Sequence, residues 1–442
     1  MTIKTTVEQR RLFWQRHLRG ETYHEIADAF GLSCGCVRYW CRRQRDGGSV
    51  QTINQRKPAG LLSRFDPLVR YVLLRLRLQH PRWGPGTLRY HMSRRPSLQG
   101  MDLPSVAQIG RYLHQWPRFR RKRKQQKQKR TRPNPATREH ERWQVDFKLG
   151  IPLLDGTQVN MHTVRDEVGA VCITASATLA GPVGQPARRV TRHELQTTLR
   201  AGFLYWQTLP EEVQTDGEPV FVGHTADSFP SKFTLWLAGL GIRHRIIRPG
   251  KPTDNAEVER ANQTLDAYVI AGNQHLSAPE LQRALLVGVE ELAFHLPSQA
   301  HGCKGQPPVV AHPLLLARPR PFAPEQELAL FDLHLVDAYL AQFTWERKVG
   351  KTGQICIGGH HQYYSVGRAF ARQYVQVRFD PSDRHFVFFA ESDPGTEIGR
   401  RPARNLEVED ITGLVQNSDD DILRQLSFPF YKGYVLKEQM QV

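Results

Sequence analysis

The stretch that most constrains the fold is Arg248-Pro-Gly-Lys-Pro-Thr-Asp-Asn-Ala-Glu-Val-Glu-Arg-Ala-Asn-Gln-Thr-Leu265. Its prolines and glycine impose a loop, and the run after them reads as a polar, amphipathic helix. Glu257 and Glu259 both lie on that helix, but two residues turn a helix by about 200°, so the pair cannot serve one site. Asn255 and Gln263 share the face of Glu259 at four-residue spacing, where they can orient ligands or bind DNA. Two further carboxylates stand upstream at or near the ends of short apolar runs, Asp146 in Trp143-Gln-Val-Asp146-Phe and Asp216 in Val213-Gln-Thr-Asp216-Gly. On a strand, Val145 and Phe147 point away from Asp146, so the acid projects to one side while the other stays buried. Gly217 ends the second run and lets backbone and ion approach closely. Carboxylates are the ligands that Mg²⁺ or Mn²⁺ prefers, and three brought together would hold such cations.

The 442 residues are enough for several domains. Lys and Arg number 61 against 43 Asp and Glu, a net charge of +18, which favours a polyanionic partner over a small neutral substrate. Nucleic acid is the first expectation. No apolar run reaches spanning length and the N-terminus lacks the apolar core of a secretory signal, so no membrane partner is expected and the chain reads as cytoplasmic. The cysteines, at 34, 36, 41, 172, 303 and 356, are too scattered for a disulfide framework. The spacing of Cys34, Cys36 and Cys41 on one short helix, with His24 nearby, is poor for tetrahedral zinc.

Residues 1–46 read as a helix-turn-helix unit. A helix over 7–18 stops at Gly20, Thr22 and Glu25 form a capping box for a second, and Ser33 caps a third. Ser33, Gly35, Arg38 and Arg42 are its candidate DNA contacts. A linker at 47–60 leads to a second helical unit, 61–116, suited to a helix-turn-helix or winged helix, with Val69, Val72, Leu73, Leu76 and Leu78 on its first apolar face. The segment 117–136 is a basic linker. Arg120, Arg121, Lys122, Arg123 and Lys124 are read as an arm along the phosphate backbone, because like charges repel and nothing apolar is there to bury.

Residues 137–310 alternate as an α/β domain. Strands at 143–151 and 158–165 flank an Asp-Gly turn, a third run spans 170–175, and Thr191 with Glu194 caps a helix ending before Pro210. Short strands lead to Asp216 and to the opening loop, and Ser277 is expected to cap the last helix. A connector at 311–342, a small β-barrel at 343–395 and a partly flexible tail at 396–442 complete the chain.

The blocks around Asp146, Asp216 and residues 241–265 closely resemble the three motif blocks of the DDE transposases of the retroviral-integrase superfamily, as found in bacterial insertion sequences. The order of flanking units, a helix-turn-helix pair before and a small β-barrel after, is similar too. The resemblance covers about 141–300. Gly217 stands where the family often has asparagine, and residues 221–231 lengthen the interval between the second and third acids. The resemblance implies a multidomain protein with a central RNase H-like catalytic core. It also implies catalytic, metal-binding Asp146, Asp216 and Glu259, two Mg²⁺ (or Mn²⁺) ions, and direct transesterification on double-stranded DNA. Glu259 is chosen over Glu257 because the family's glutamate follows by four residues the asparagine that matches Asn255. Further expectations are DNA contacts by Lys251, Asn255 and Arg260, a nucleoid-associated homo-oligomer on element ends and target DNA, and an ATPase as candidate helper. The alternatives are a DNA-binding regulator with a non-catalytic core and a metal-dependent nuclease that cuts without joining.

Overall fold

The computed structural model describes residues 5–50, 60–116, 119, 134–223, 229–248, 250–300, 302–323, 326–358, 362–391 and 393–414. The basic run holding Arg120, Arg121, Lys122, Arg123 and Lys124 lies outside them. Two units divide the chain, residues 1–66 and 67–442.

In the first unit, α1 (Val7–Leu18), α2 (Tyr23–Phe30) and α3 (Cys34–Arg45) pack Phe13, Ile26, Val37, Trp40 and Cys41 into a small core. Thr22 and Glu25 form the expected capping box, Gly31 closes α2 at φ 64°, a left-handed turn that suits glycine, and the Ser33 side chain caps α3.

The second unit opens with α4 (Pro67–Gln79), α5 (Pro85–Ser93) and α6 (Val106–His114). Leu78 departs from expectation. It is 53% exposed, while Arg77 takes the buried position and donates to the Trp83 carbonyl at 2.5 Å. Helical phase explains this, since Val69, Val72, Leu73 and Leu76 continue to position 80 and not 78.

Three antiparallel strands follow, β1 (Arg142–Pro152), β2 (Thr157–Asp166) and β3 (Cys172–Pro182), the last running beyond its expected end. Next come α7 (Arg192–Trp206), β4 (Glu212–Thr215), α8 (Pro219–Val222), α9 (Lys232–Gly239) and β5 (Arg243–Ile246). A 3-10 turn (Pro252–Asn255) then leads to α10 (Ala256–Leu265), a π-helical turn (Asp266–Ile270) and α11 (Ala278–Phe294). The sheet order is β3-β2-β1-β4-β5, with β1, β4 and β5 mutually parallel and β2 antiparallel to both neighbours. Ser277 makes no cap bond to α11. Glu280 reaches back instead, accepting from the Leu276 amide at 2.6 Å.

Alternation decides what each face of this sheet carries. Trp143, Val145 and Val213 point into an apolar core shared with Leu199, Phe203 and Trp236. The intervening Gln144 and Asp146 look to the other face, and α10 packs against β1 and β2.

The C-terminal half holds short helices and antiparallel sheets. After α12 (Pro308–Ala311), the short helices α13 (Glu327–Leu330) and α14 (Leu333–Leu340) lead to β6 (Thr344–Lys348), β7 (Gln354–Cys356), β8 (Tyr363–Ser365), β9 (Tyr374–Asp380), β10 (His385–Ala390) and β11 (Asp393–Pro402). These strands form a four-stranded antiparallel sheet, β11-β10-β9-β6, and a separate β7-β8 pair. β11 crosses the expected start of the tail at residue 396. Leu315, Phe331, Val336 and Leu340 are buried in the same apolar cluster as Trp143, Trp345, Val377 and Phe386. Beyond β11, α15 (Val408–Thr412) docks on the core, where Arg192, Gln196 and Arg200 of α7 donate to the carbonyls of Asp410, Ile411 and Thr412 at 2.8, 3.0 and 2.7 Å. No helix among the described residues is long and apolar enough to cross a membrane.

Candidate active site

Strand register brings the first two acids side by side. β1 and β4 are parallel, with Gln144 paired to Gln214. Two residues further along each chain stand Asp146 and Asp216. Asp216 lies just past its strand, where its Oδ1 accepts from the Glu218 amide at 3.0 Å. A Cβ at Gly217 would meet open space, so close packing does not require glycine there.

The third acid arrives on α10, which is fastened to the sheet by polar contacts. The Gln144 side chain accepts from the Val258 amide at 3.2 Å, satisfying one of the unpaired amides of the first turn. Gln214 Nε2 donates to the Asp254 carbonyl at 2.9 Å, and Arg248 pairs with Asp254 through two bonds of 2.8 Å. With the start of the helix held, Glu257 turns toward β2 and pairs with buried Arg165 at 3.4 Å and with Arg260 at 3.6 Å. Glu259 is exposed on another side of the helix, and its charge acts on Asp146.

Asp146 is the most perturbed of these acids. Burial above all pushes its pKa up to about 6; the charges of Asp216 and Glu259 add to the rise, while hydrogen bonds from the Phe147 amide and Asn262 oppose it. Burial likewise raises Asp216, against the Glu218 amide bond. Asn262 Nδ2 donates to Asp146 Oδ2 at 2.8 Å. Asn262 was not singled out from sequence, though its place three residues after Glu259 puts it on the same helical face.

Among the described residues, no three carboxylate, imidazole or thiol groups stand together as a ready-made chelate. The donor chemistry nevertheless fits a hard cation. The neighbouring acids are all oxygen donors, Asp146 is destabilised as an anion, and Asn262 Oδ1 and Thr163 Oγ1 are buried without a hydrogen-bond partner. Thr163 lies opposite Asp146 in the β1/β2 register.

The expected DNA contacts divide. Lys251 and Arg260 are exposed, and Arg260 pairs with Glu257 at 3.6 Å. Asn255 is not available to a ligand, being 4% exposed and donating to the Val145 carbonyl at 3.2 Å, which ties the start of α10 to β1. In the first unit Ser33, Arg38 and Arg42 are all exposed, with the Ser33 hydroxyl already engaged by the Cys36 amide at 3.3 Å. The nearby histidines are built in. His162 sits against Thr178 and Thr198 and His244 between Thr215 and Thr234, and burial lowers each to about 4.

No protein-family model matches the chain. No curated protein matches it either. Among solved structures it is similar to the simian T-cell lymphotropic virus intasome in complex with PP2A regulatory subunit B56 gamma, at 17% identity over 75% of this chain and 96% of that one, with a TM-score of 0.32. It is also similar to the HTLV-2 integrase catalytic core domain in complex with magnesium (15% identity, 40% of this chain, 97% of that chain, TM-score 0.28). The BIV integrase catalytic core domain is a third such neighbour (15%, 39%, 93%, TM-score 0.26). Identity and TM-score are low throughout, so the chemical reading rests on the residues themselves.

Proposed function

We propose that the chain is a DNA transposase or integrase of the DDE type, with an RNase H-like core in which Asp146, Asp216 and Glu259 serve a metal-dependent polynucleotidyl transfer. The observation that supports this reading is that Asp146, on β1, is buried within the influence of the charges of Asp216, past the end of β4, and Glu259, on α10, in a chain of net charge +18. Asp146, Asp216 and Glu259 would hold Mg²⁺ or Mn²⁺, which would lower the pKa of an attacking water or hydroxyl and stabilise the leaving oxygen.

The chain's own groups supply placement. Asn262 orients Asp146, Gln144 and Asn255 hold α10 on the sheet, and the exposed Lys251 and Arg260 would offer positive charge to a DNA end. In the first step a water oxygen bonds to phosphorus, the bond to the 3′ oxygen breaks, and that oxygen takes up a proton as a free 3′-hydroxyl. In the second the 3′-hydroxyl attacks a target phosphodiester and displaces another 3′ oxygen. The first step is hydrolysis, which leaves a 5′-phosphate on the released side, and in the second one phosphodiester forms as one breaks, so neither step consumes a nucleotide cofactor. The exposed Arg38 and Arg42 and the run from Arg120 to Lys124 would bind element ends and backbone, in an oligomer assembled on DNA.

The test is strand transfer with Mg²⁺ on DNA carrying candidate element ends, found by sequencing the DNA around the gene for inverted repeats. Asp146→Asn and Glu259→Gln are expected to abolish both cleavage and joining while DNA binding persists. Full activity in either variant would sink the assignment, and cleavage without joining by the parent would favour a nuclease.

A further inference from the structure

The helix carrying Glu259 does not stop at its far end. It widens into the π-helical turn Asp266–Ile270, and that turn is gripped by the helical unit formed by α4 to α6. π turns are rare and occur mostly as single-turn bulges, frequently at functional sites. Asp266 accepts from Lys148 Nζ at 2.6 Å, on β1 two residues past Asp146, and also from Arg82, in the connection between α4 and α5. The Tyr268 hydroxyl bonds to Glu291 of α11 and meets His91 Nε2 at 3.1 Å, while Trp83 Nε1 reaches the Tyr268 carbonyl at 3.4 Å. Trp83 is itself clamped between His80 and His91, with ring centroids 3.7 and 4.2 Å away and interplanar angles of 7° and 16°. Just beyond the turn, Gly272 adopts φ +86°, and a Cβ there would lie 2.2 Å from the Gln79 carbonyl oxygen at the end of α4, so only glycine allows this approach.

We propose that this contact is a latch through which the α4–α6 unit sets the position of α10, and with it the placement of Glu259 relative to Asp146 and Asp216. The proposal rests on the reading of these acids as a cation site. Because they do not stand as a ready-made chelate, small displacements of α10 decide whether they can share an ion. Gln144, Asn255 and Gln214 hold the start of the helix, and at its far end the latch adds Arg82, Trp83 and His91 to the holds from Lys148 of β1 and Glu291 of α11. Asp266 lies seven residues from Glu259, about 10 Å along the axis, so Asp266 and Tyr268 act as positioning residues and not as ligands.

The test uses the full chain with Mn²⁺ alone as the probe, its affinity measured by electron paramagnetic resonance, together with amide hydrogen exchange of residues 256–265. Arg82→Gln on the helical unit and Asp266→Asn and Tyr268→Phe on the turn are each expected to weaken Mn²⁺ binding about tenfold. They should also speed exchange in α10 while α7 keeps its parental rate. Asp146→Asn and Glu259→Gln should weaken Mn²⁺ binding without speeding exchange. If these acid variants lose Mn²⁺ while all three latch variants bind it as the parent does, the latch is overturned and the cation site stands. Parental Mn²⁺ binding in the acid variants overturns both. Faster exchange in α7 and α10 alike would report a general loss of stability and overturn the positioning role.

Discussion

Asp146 is held where its ionised form is disfavoured, and this has a consequence for stability. Its pKa is about 6 in the fold against an ordinary 3.8, so the folded chain binds this proton more tightly than the unfolded one. The resulting stabilisation is complete below the unfolded value and is lost as pH rises through about 6. Asp146→Asn, melted in the presence of a chelator, is therefore expected to be more stable than the parent near neutral pH by about 2 kcal/mol, with the difference closing toward pH ~4. A thermal melt series across that range checks it, and a variant less stable at neutral pH would contradict it. At this scale the sequence marks Asp146 and Asp216 at the borders of apolar runs and Glu259 on a polar helix. It did not reveal Asn262 or the pairing of Arg165 with Glu257, since both depend on how α10 is rotated against the sheet. Four-residue spacing puts Asn255 on the face of Glu259 as a candidate DNA contact, and packing against β1 buries it.

Among the elements, α7 shows how a local signal becomes stability. Thr191 and Glu194 form the capping box visible in the sequence, and Arg188, from the preceding loop, joins Glu194. Burial works against the carboxylate, but hydrogen bonds from Arg188 and Thr191 hold it down at about 2. A depressed acid stabilises the fold above its unfolded pKa, and that contribution is lost as pH falls through the folded value. Glu194→Gln is expected to cost about 1–2 kcal/mol at neutral pH, after discounting for the half-exposed Arg188, and progressively less below pH ~4. Urea unfolding at the two pH values measures the difference. Capping boxes are legible because they close within four residues. The π turn after α10, the extension of β3 and the short α13 and α14 are not, for each is stabilised by partners distant in sequence.

Across the whole molecule, the buried pair of Arg200 and Glu327 joins elements that composition assigned to different domains. Arg200 on α7 meets Glu327 on α13 at 2.7 Å and the Thr412 carbonyl at 2.7 Å, while Trp236 Nε1 donates to the same carboxylate at 3.0 Å. Glu327 is 1% exposed. Arg200→Met would leave that charge buried and lacking its cation, and is expected to cost about 3–5 kcal/mol. The double variant Arg200→Met with Glu327→Met should recover much of the loss, and a double-mutant cycle by urea unfolding tests the coupling.

By itself, the sequence determined where helices start, which strand residues alternate and where the acids fall along the chain, because these follow from interactions within a few residues and from helix and strand periods. Only the tertiary structure decided that Glu257 pairs with Arg165 while Glu259 acts on Asp146. The same holds for the α4–α6 unit meeting the end of α10, and for Leu315, Phe331, Trp345, Phe386 and Ile411 sharing one core with the mixed sheet. Those outcomes depend on contacts between residues far apart in the chain, and no local period records them.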